Sequence, residues 1–312
     1  MRRLVIIVCL LCTILGLSIF IPGVRNQVRA IVRPEPPAPI TPIALVEPAT
    51  AVPATLTVAP TTPTEADVPT TEDVATPTAI PTNIPPTPTP TVGPVTVNGR
   101  VYDAYIPSAT KDSQAYQYSC EFDAAWVIMQ TYGIDVSVDD LITAMPLDQS
   151  IEPYIGEETS EGRIIHGGDI GTAFAGDYAS NFLARSTGQA MSQLFEQYNL
   201  TAQPVNDRGG VEAALRSGSL IWMKTTVDFK PWQPAIWQAP DGSTYRTVLG
   251  NDHAVVVMGF NAESVVIRDV LGPTSSNWER PYEYEVDWAT FLAAWGAQSF
   301  DGLAIVPPAN NS

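Results

Sequence analysis

Residues 114–133 read QAYQYSCEFDAAWVIMQTYG, and this stretch decides how the folded region is arranged. It predicts a helix from about Cys120 to Tyr132, because Ser119 is a favoured N-cap residue and Gly133 is a natural end. Apolar residues occupy nearly every side of this helix. Such a helix is normally buried in the middle of a domain, so we expect the other elements to pack around it.

Cys120 would begin this helix, with Glu121 and Asp123 in the first turn. A helix N-terminus favours a thiolate over a thiol, because free backbone amides and the helix dipole stabilise negative charge there. A lone cysteine beside apolar residues is also commonly a small buried hydrophobe with no chemical role. Both interpretations stay open at this point, and the rest of the chain must decide between them.

The chain of 312 residues carries a formal net charge of -17, most of which belongs to its C-terminal part. Residues 95–312 contain 11 basic and 27 acidic residues, together with all 7 tryptophans and all 11 tyrosines. Such an acidic region does not bind nucleic acid or an anionic membrane by electrostatic attraction. Its length is sufficient for one sizeable core or two small lobes.

The composition divides the chain into three regions. Residues 1–33 contain the apolar run LVIIVCLLCTILGLSIFIPG between basic flanks, with about 18 uncharged residues, near the length that spans a bilayer. No small-residue cleavage site is evident, so we expect an uncleaved anchor; a cleaved signal peptide and secretion are the alternative. Residues 34–94 are rich in Pro and Thr and predict a disordered stalk. Residues 95–312 would then be a domain on the extracytoplasmic side of a cell membrane.

Within residues 95–312, helices come first and an antiparallel sheet later, which predicts an α+β fold with the central helix packed on the sheet. The predicted helices lie at 120–132, 137–145, 188–198, 210–216 and 288–295. The predicted strands lie at 219–226, 253–260, 264–270 and 302–306. Residues 148–181 have little periodicity and predict a long loop, whereas 228–250 predict a loop or a hairpin arm.

Two residues of the predicted hairpin could form a catalytic pair. If the hairpin is centred on Asn261, His253 and Asp269 lie directly opposite each other, within reach of a hydrogen bond. A carboxylate on one imidazole nitrogen leaves the other to take the proton of a nucleophile, which would be Cys120. Gln114, on the loop before the helix, could donate to a developing oxyanion. Each of these residues, taken alone, is more often structural.

The remaining polar and aromatic candidates are less specific. His166 with Asp169 supplies too few ligands for zinc, so we expect a structural or surface role for it and no metal or other cofactor. Its functional alternative is a position in a substrate cleft. The tryptophans predict core positions or cleft walls, and an aromatic sugar-binding platform is the alternative.

The combination of Gln-x5-Cys in residues 114–120, SCEFDAA, His253 followed by Ala-Val-Val-Val, and a later carboxylate resembles a known family. It is similar to the papain-like cysteine peptidases related to bacteriocin-leader (double-glycine) peptidases, and within them to the stand-alone C39-like bacterial branch. The resemblance covers roughly residues 102–307. It implies a papain-like cysteine peptidase fold with Cys120 as nucleophile, His253 as general base, Asp269 as orienting residue and Gln114 as oxyanion donor.

The chain departs from the family at three places. It has Asp269-Val270 where Asp-Pro is frequent, Asp252-His253 where Glu-His is frequent, and Cys120-Glu121-Phe122 in place of a Cys-Gly-Pro form. The reactive side chains are kept, but the differences do not define the substrate. The acidity of the domain would also place carboxylates near a thiolate and raise the pKa of the sulfhydryl.

These features together predict a monomeric cell-surface thiol hydrolase, either a cysteine peptidase or an amidase. Its substrate would be a peptide, a protein or a cell-wall peptide, and its membrane contact would be the N-terminal helix. One alternative is a non-catalytic surface-binding domain that retains the peptidase fold. Another is a cell-wall amidase of the NlpC type, which uses similar chemistry.

Overall fold

A computed structural model describes residues 93–273 and 278–308 of the chain. Within these ranges the protein forms five α-helices and fifteen strands, which confirms the α+β class. The helices are α1 Cys120–Thr131, α2 Val138–Ala144, α3 Gly188–Gln197, α4 Arg208–Arg216 and α5 Trp288–Gly296. A short 3-10 turn lies at Val227–Phe229.

The larger sheet has seven strands, and every pair in it is antiparallel. Its predicted strands are confirmed, and the two central strands, β9 Leu220–Thr226 and β12 Asp252–Phe260, are buried along almost their whole length. In spatial order the strands are β14 Glu283–Asp287, β13 Ser264–Arg268, β12 Asp252–Phe260, β9 Leu220–Thr226, β15 Gly302–Val306 and β8 Thr201–Pro204, with β3 Ala104–Tyr105 beside β12.

Helix α1 packs against β9 and β12 and is almost completely buried, as its apolar composition predicts. Gly133 has a φ of 76°, a left-handed conformation that glycine adopts without strain, and it ends the helix as expected. Ser119 holds the N-cap position, but its hydroxyl donates to the Asp123 carboxylate at 2.5 Å and caps no backbone amide. Ser119 is therefore confirmed as the N-cap residue by its position, although its side chain does not cap the helix.

The other helices agree with their predicted positions within a few residues. Ser137 and Asp140 form a reciprocal capping box at the start of α2, and Asp287 caps α5 by accepting from a backbone amide at 2.9 Å. Helix α4 begins at Arg208, earlier than predicted, because Asp207 caps it.

Residues 148–181 do not form the single long loop that the sequence predicts. They contribute β5 Tyr154–Thr159 and β6 Gly162–His166, which join a second sheet in the order β11-β10-β6-β5, where β10 is Pro234–Gln238 and β11 is Thr244–Val248. Strand β5 is mostly exposed and has no apolar alternation, so nothing local marks it as a strand. Strand β6 pairs locally with β5, and its other edge pairs with β10, which is distant in the sequence, so only the tertiary structure joins the four strands in one sheet.

Residues 228–250 form the hairpin of β10 and β11, one of the two alternatives predicted for them. Smaller two-stranded pairs complete the described part of the chain. They join β1 Val95–Val97 with β2 Arg100–Tyr102, and β4 Leu147–Asp148 with β7 Phe174–Ala175.

The predicted anchor at residues 1–33 lies outside the described residues, as does nearly all of the predicted stalk at 34–94. None of the helices in the described ranges is long and apolar enough to span a bilayer.

Tyr132, which follows α1, provides a test of how this helix is held. Its hydroxyl donates to the Ile305 carbonyl at 2.7 Å and accepts from the Leu220 amide at 2.8 Å, and all three groups are buried. Tyr132→Phe leaves a buried amide and carbonyl without this partner, so we expect the free energy of unfolding to fall by about 1–3 kcal/mol in urea denaturation.

Tyr116→Phe is the matched control, because its hydroxyl bonds Asp139 in an exposed position where water can replace it. We expect that control to keep nearly wild-type stability. Equal losses in the two variants would contradict a bridging role for Tyr132.

Candidate functional site

Cys120 is the first residue of α1, and only 5% of it is exposed to solvent. Its Sγ donates a hydrogen bond to Oε2 of Glu121, at 3.1 Å. Within the described residues, Cys120 is the cysteine available for chemistry, and its thiol is free.

Burial raises the pKa of the Cys120 thiol well above its ordinary value, and the negative charge of Glu121 raises it further. The positive charge of Lys224 acts in the opposite direction but does not outweigh these effects. The expectation that the helix N-terminus holds a thiolate is therefore wrong for this resting state. The counter-expectation, that nearby carboxylates raise the pKa, is confirmed.

A buried lysine connects the start of α1 to the sheet. Lys224 on β9 lies 2.6 Å from Glu121 and 2.5 Å from Asp252 on β12, measured from Nζ to a carboxylate oxygen in each case. Burial would lower the pKa of Lys224, but the two carboxylates raise it above its ordinary value. Lys224 is not among the predicted site residues. One charged residue inside the apolar strand SLIWMKTT is nevertheless a usable signal, since lysine is almost never buried without a partner.

His253 and Asp269 form the hydrogen-bonded pair that the sequence predicts. Nε2 of His253 lies 2.9 Å from Oδ1 of Asp269, and both residues are buried. The predicted register is wrong, because Val256 pairs with Arg268 and a bulge follows before Gly259. Extended along the strands, the observed register makes His253 and Asp269 diagonal neighbours, and an offset of two residues keeps the two side chains on one face.

Several donors hold the Asp269 carboxylate in addition to His253. The Tyr284 hydroxyl donates at 2.7 Å, the Leu271 amide at 2.8 Å, and Arg280 Nη1 lies at 3.2 Å. Burial would raise the pKa of Asp269, but His253, Arg280 and Tyr284 together lower it below its usual range. Asp269 therefore stays ionised and keeps the imidazole in one orientation. Neither Arg280 nor Tyr284 carries a motif by which the sequence could have identified it.

Gln114 lies on the loop that precedes α1, as predicted, and the buried Asp123 ties this loop to the helix. The Asp123 carboxylate accepts from the Ala115 amide at 3.1 Å and lies 3.3 Å from Nζ of Lys111. The backbone directly after Gln114 is thus attached to α1.

Three of the four predicted site residues fall into two clusters, and Gln114 belongs to neither. His253 contacts Asp269, whereas Cys120 contacts Glu121, and in the described part of the chain no hydrogen bond joins the sulfur to the imidazole. Each cluster includes one residue of β12, Asp252 in the cysteine cluster and His253 in the other, and successive side chains of a strand point to opposite faces of the sheet. Since Asp269 occupies Nε2, Nδ1 is the ring nitrogen left to accept a proton.

His166 lies near the protein surface and contacts neighbouring side chains there. Its ring stacks on Tyr154 with centroids 5.0 Å apart, and Nε2 lies 3.2 Å from a carboxylate oxygen of Glu157. Among the side chains of residues 93–273 and 278–308, no group of three or more His, Cys, Asp or Glu is arranged to hold a metal ion.

Most tryptophans are buried in the core, so they are not available to form an aromatic binding platform. Trp222, Trp237, Trp288 and Trp295 are buried, whereas Trp232 and Trp278 are exposed on the surface. The sugar-binding alternative is therefore reduced to these two side chains.

Comparison with known proteins supports the resemblance seen in the sequence. The family model described as "Peptidase_C39 like family" matches residues 105–303. The chain is similar to the crystal structure of a Bacillus anthracis protein described as a C39-like peptidase, with a TM-score of 0.51 and 18% sequence identity over 65% of this chain and 95% of that one. At this identity, the similarity is one of fold. No curated protein sequence matches the chain significantly.

The buried His253–Asp269 pair predicts a pH-dependent contribution to stability. The pKa of Asp269 is lower in the folded than in the unfolded chain, so its stabilisation is present above about pH 3.9 and is lost as the pH falls further. Asp269→Asn replaces the charged carboxylate with a neutral amide, while the hydrogen-bond donors around it remain. We therefore expect the free energy of unfolding at pH 7 to fall by about 3–5 kcal/mol. The deficit should shrink below about pH 4 in urea denaturation.

Asp287→Asn is the control, because asparagine can accept the same N-cap hydrogen bond. That variant should remain close to the wild type at every pH. A constant deficit for Asp269→Asn across the whole acidic range would show that ionisation of Asp269 is not what stabilises the pair.

Proposed function

Because the chain belongs to the Peptidase_C39 like family, we propose that it is a thiol hydrolase with a papain-like cysteine peptidase fold, which cleaves amide bonds with Cys120 as nucleophile and His253 as general base. Asp269 would orient the imidazole, and Gln114 would stabilise the oxyanion.

The observation that carries this proposal is the buried hydrogen bond between Nε2 of His253 and Asp269, at 2.9 Å. A general base needs a defined tautomer and a fixed ring, and an ionised carboxylate on one ring nitrogen provides both. The donors around Asp269 keep it ionised, so the imidazole is prepared to accept a proton at Nδ1.

In the proposed reaction, the sulfhydryl of Cys120 leaves the Glu121 carboxylate and gives its proton to Nδ1 of His253. The sulfur then attacks the carbonyl carbon of the amide, and the Gln114 side chain donates to the developing oxyanion. The C–N bond breaks as the amine takes the proton from the imidazolium. A water molecule, deprotonated by His253, hydrolyses the thioester and regenerates the thiol.

The proposed substrate class is a peptide, a protein or a cell-wall peptide. We also propose that the protein acts as a monomer at the outer face of the cell membrane, with residues 1–33 as the anchor and 34–94 as the stalk. The amino-acid composition of these regions supports this location.

Hydrolysis by the full-length protein tests the catalytic assignment. With a panel of internally quenched peptides and purified cell wall as substrates, Cys120→Ala and His253→Ala should each lower kcat/KM by at least about 10³-fold. Gln114→Ala should lower kcat by about 10²-fold or more with little change in KM.

His166→Ala is the matched control, because His166 is the other histidine of the chain and contacts a surface carboxylate. It should keep wild-type rates. Undiminished cleavage by Cys120→Ala would contradict the proposed mechanism. Release of soluble fragments from cell wall, with no cleavage of the peptides, would favour the amidase over the peptidase.

One observation favours a second function. The Cys120 thiol is buried and hydrogen-bonded to a carboxylate, which suits a structural cysteine in a non-catalytic surface-binding domain. In that case, neither peptides nor cell wall would be cleaved by the wild-type protein, and the intact domain would still bind one of them.

The proposed location can be tested by cell fractionation. We expect the full-length chain in the membrane fraction. A variant that begins at residue 34 and is exported by a cleavable signal peptide should appear in the medium. Protease added to intact cells should remove the domain of the full-length protein. Recovery of a shortened chain that lacks the N-terminal apolar run in the medium would favour cleavage and secretion instead.

A further inference from the structure

The contacts around Cys120 suggest a function for the buried charges beside it. Glu121 presents its two carboxylate oxygens to different partners: Oε2 accepts from Sγ of Cys120 at 3.1 Å, and Oε1 contacts Nζ of Lys224 at 2.6 Å. The lysine ammonium thereby fixes the carboxylate that receives the thiol hydrogen bond.

Lys224 is itself held from a second side. Its ammonium lies 2.5 Å from Asp252, whose other carboxylate oxygen accepts from Nε2 of Gln298 at 2.5 Å. Gln298 also donates to the backbone carbonyl of Thr225. Every member of this network is buried or nearly so, and the ion pairs are therefore only weakly screened by water.

We propose that Lys224 is a positioning residue that holds the Glu121 carboxylate against the Cys120 sulfhydryl, so that this carboxylate, and not His253, keeps the sulfur protonated in the resting protein. The proposal deepens the proposed function and rests on it for its catalytic meaning. Its physical content, the protonation of Cys120, does not require that the protein hydrolyses anything.

The charges that bear on the sulfur come from several elements. Glu121 belongs to α1, Lys224 to β9 and Asp252 to β12, with His253 next in that strand. Burial raises the pKa of Asp301, which precedes β15, to about 6 despite hydrogen bonds from the Gly188 amide, and Arg185 adds positive charge near Lys224 and Asp252.

Glu121 and Lys224 have opposite effects on the sulfur, which makes the proposal testable. Removing the Glu121 charge deletes both the acceptor of the thiol hydrogen bond and the nearest negative charge, so the thiolate should form at lower pH. Removing the Lys224 charge leaves Glu121 uncompensated beside the sulfur, so the thiolate should form at higher pH.

The test measures alkylation of Cys120 in the full-length protein by iodoacetamide between about pH 6 and pH 10.5. The modified peptide that contains Cys120 is quantified by mass spectrometry, because Cys9 and Cys12 also react. The pH of the inflection, rather than the absolute rate, is compared, so that the poor access to a buried sulfur does not affect the result.

For the wild type, we expect an inflection above the value of about 8.5 that is typical of free cysteine. Glu121→Gln should move it down by about one pH unit or more, which is about a tenfold faster reaction near pH 7.5. Lys224→Met should move it upward. Asp252→Asn, which removes the more distant charge and keeps Glu121 in place, is the control and should produce a smaller downward shift than Glu121→Gln.

A wild-type inflection at or below that of free cysteine would overturn the proposal, whatever the variants do. Shifts of Glu121→Gln and Lys224→Met in the same direction, with both variants folded by circular dichroism, would also overturn it. The expected shifts together with no hydrolysis by any variant would leave this inference standing and remove the hydrolase assignment. Hydrolysis by the wild type, without opposite shifts in Glu121→Gln and Lys224→Met, would remove this inference and leave the hydrolase assignment standing.

Discussion

The attachment of helix α1 to the larger sheet is the constraint on which the rest of the structure depends. Its C-terminal end is held by the buried Tyr132 hydroxyl, and its N-terminal end by the ion pair between Glu121 and Lys224. An apolar helix alone would be free to slide or rotate in its groove, because hydrophobic packing is not directional. A buried ion pair leaves no such freedom, since a small displacement would expose an uncompensated charge to an apolar surrounding.

The same ion pair has a consequence for chemistry. The carboxylate that anchors the helix to the sheet lies beside the sulfur of Cys120, and burial together with this carboxylate raises the pKa of the thiol. At the neighbouring position of β12, the imidazole of His253 is fixed by an ionised Asp269. The two clusters therefore differ in their partners: the imidazole of His253 contacts an ionised carboxylate that receives several other donors, whereas the thiol of Cys120 donates to Glu121.

Arg280 and Tyr284 link the second cluster to the fold. Tyr284 lies on β14, two strands away from the histidine strand, and its hydroxyl donates to Asp269, which directly follows the neighbouring strand β13. The carboxylate thereby receives donors from separate parts of the sheet edge, which holds it more rigidly than a single partner could. Such support is typical of a side chain whose orientation matters for function.

The sequence by itself determined the central helix, the buried strands of the larger sheet, and the association of His253 with Asp269, because apolar periodicity, capping residues and a short hairpin are local properties. It predicted the wrong hairpin register but the right face, since an error of two residues preserves the alternation of side chains. Only the tertiary structure decided the second sheet, because β6 pairs with a strand that is distant in the chain. The tertiary structure also decided the pKa of the Cys120 thiol, because burial and the position of Lys224 depend on which elements pack together, and no local pattern encodes that.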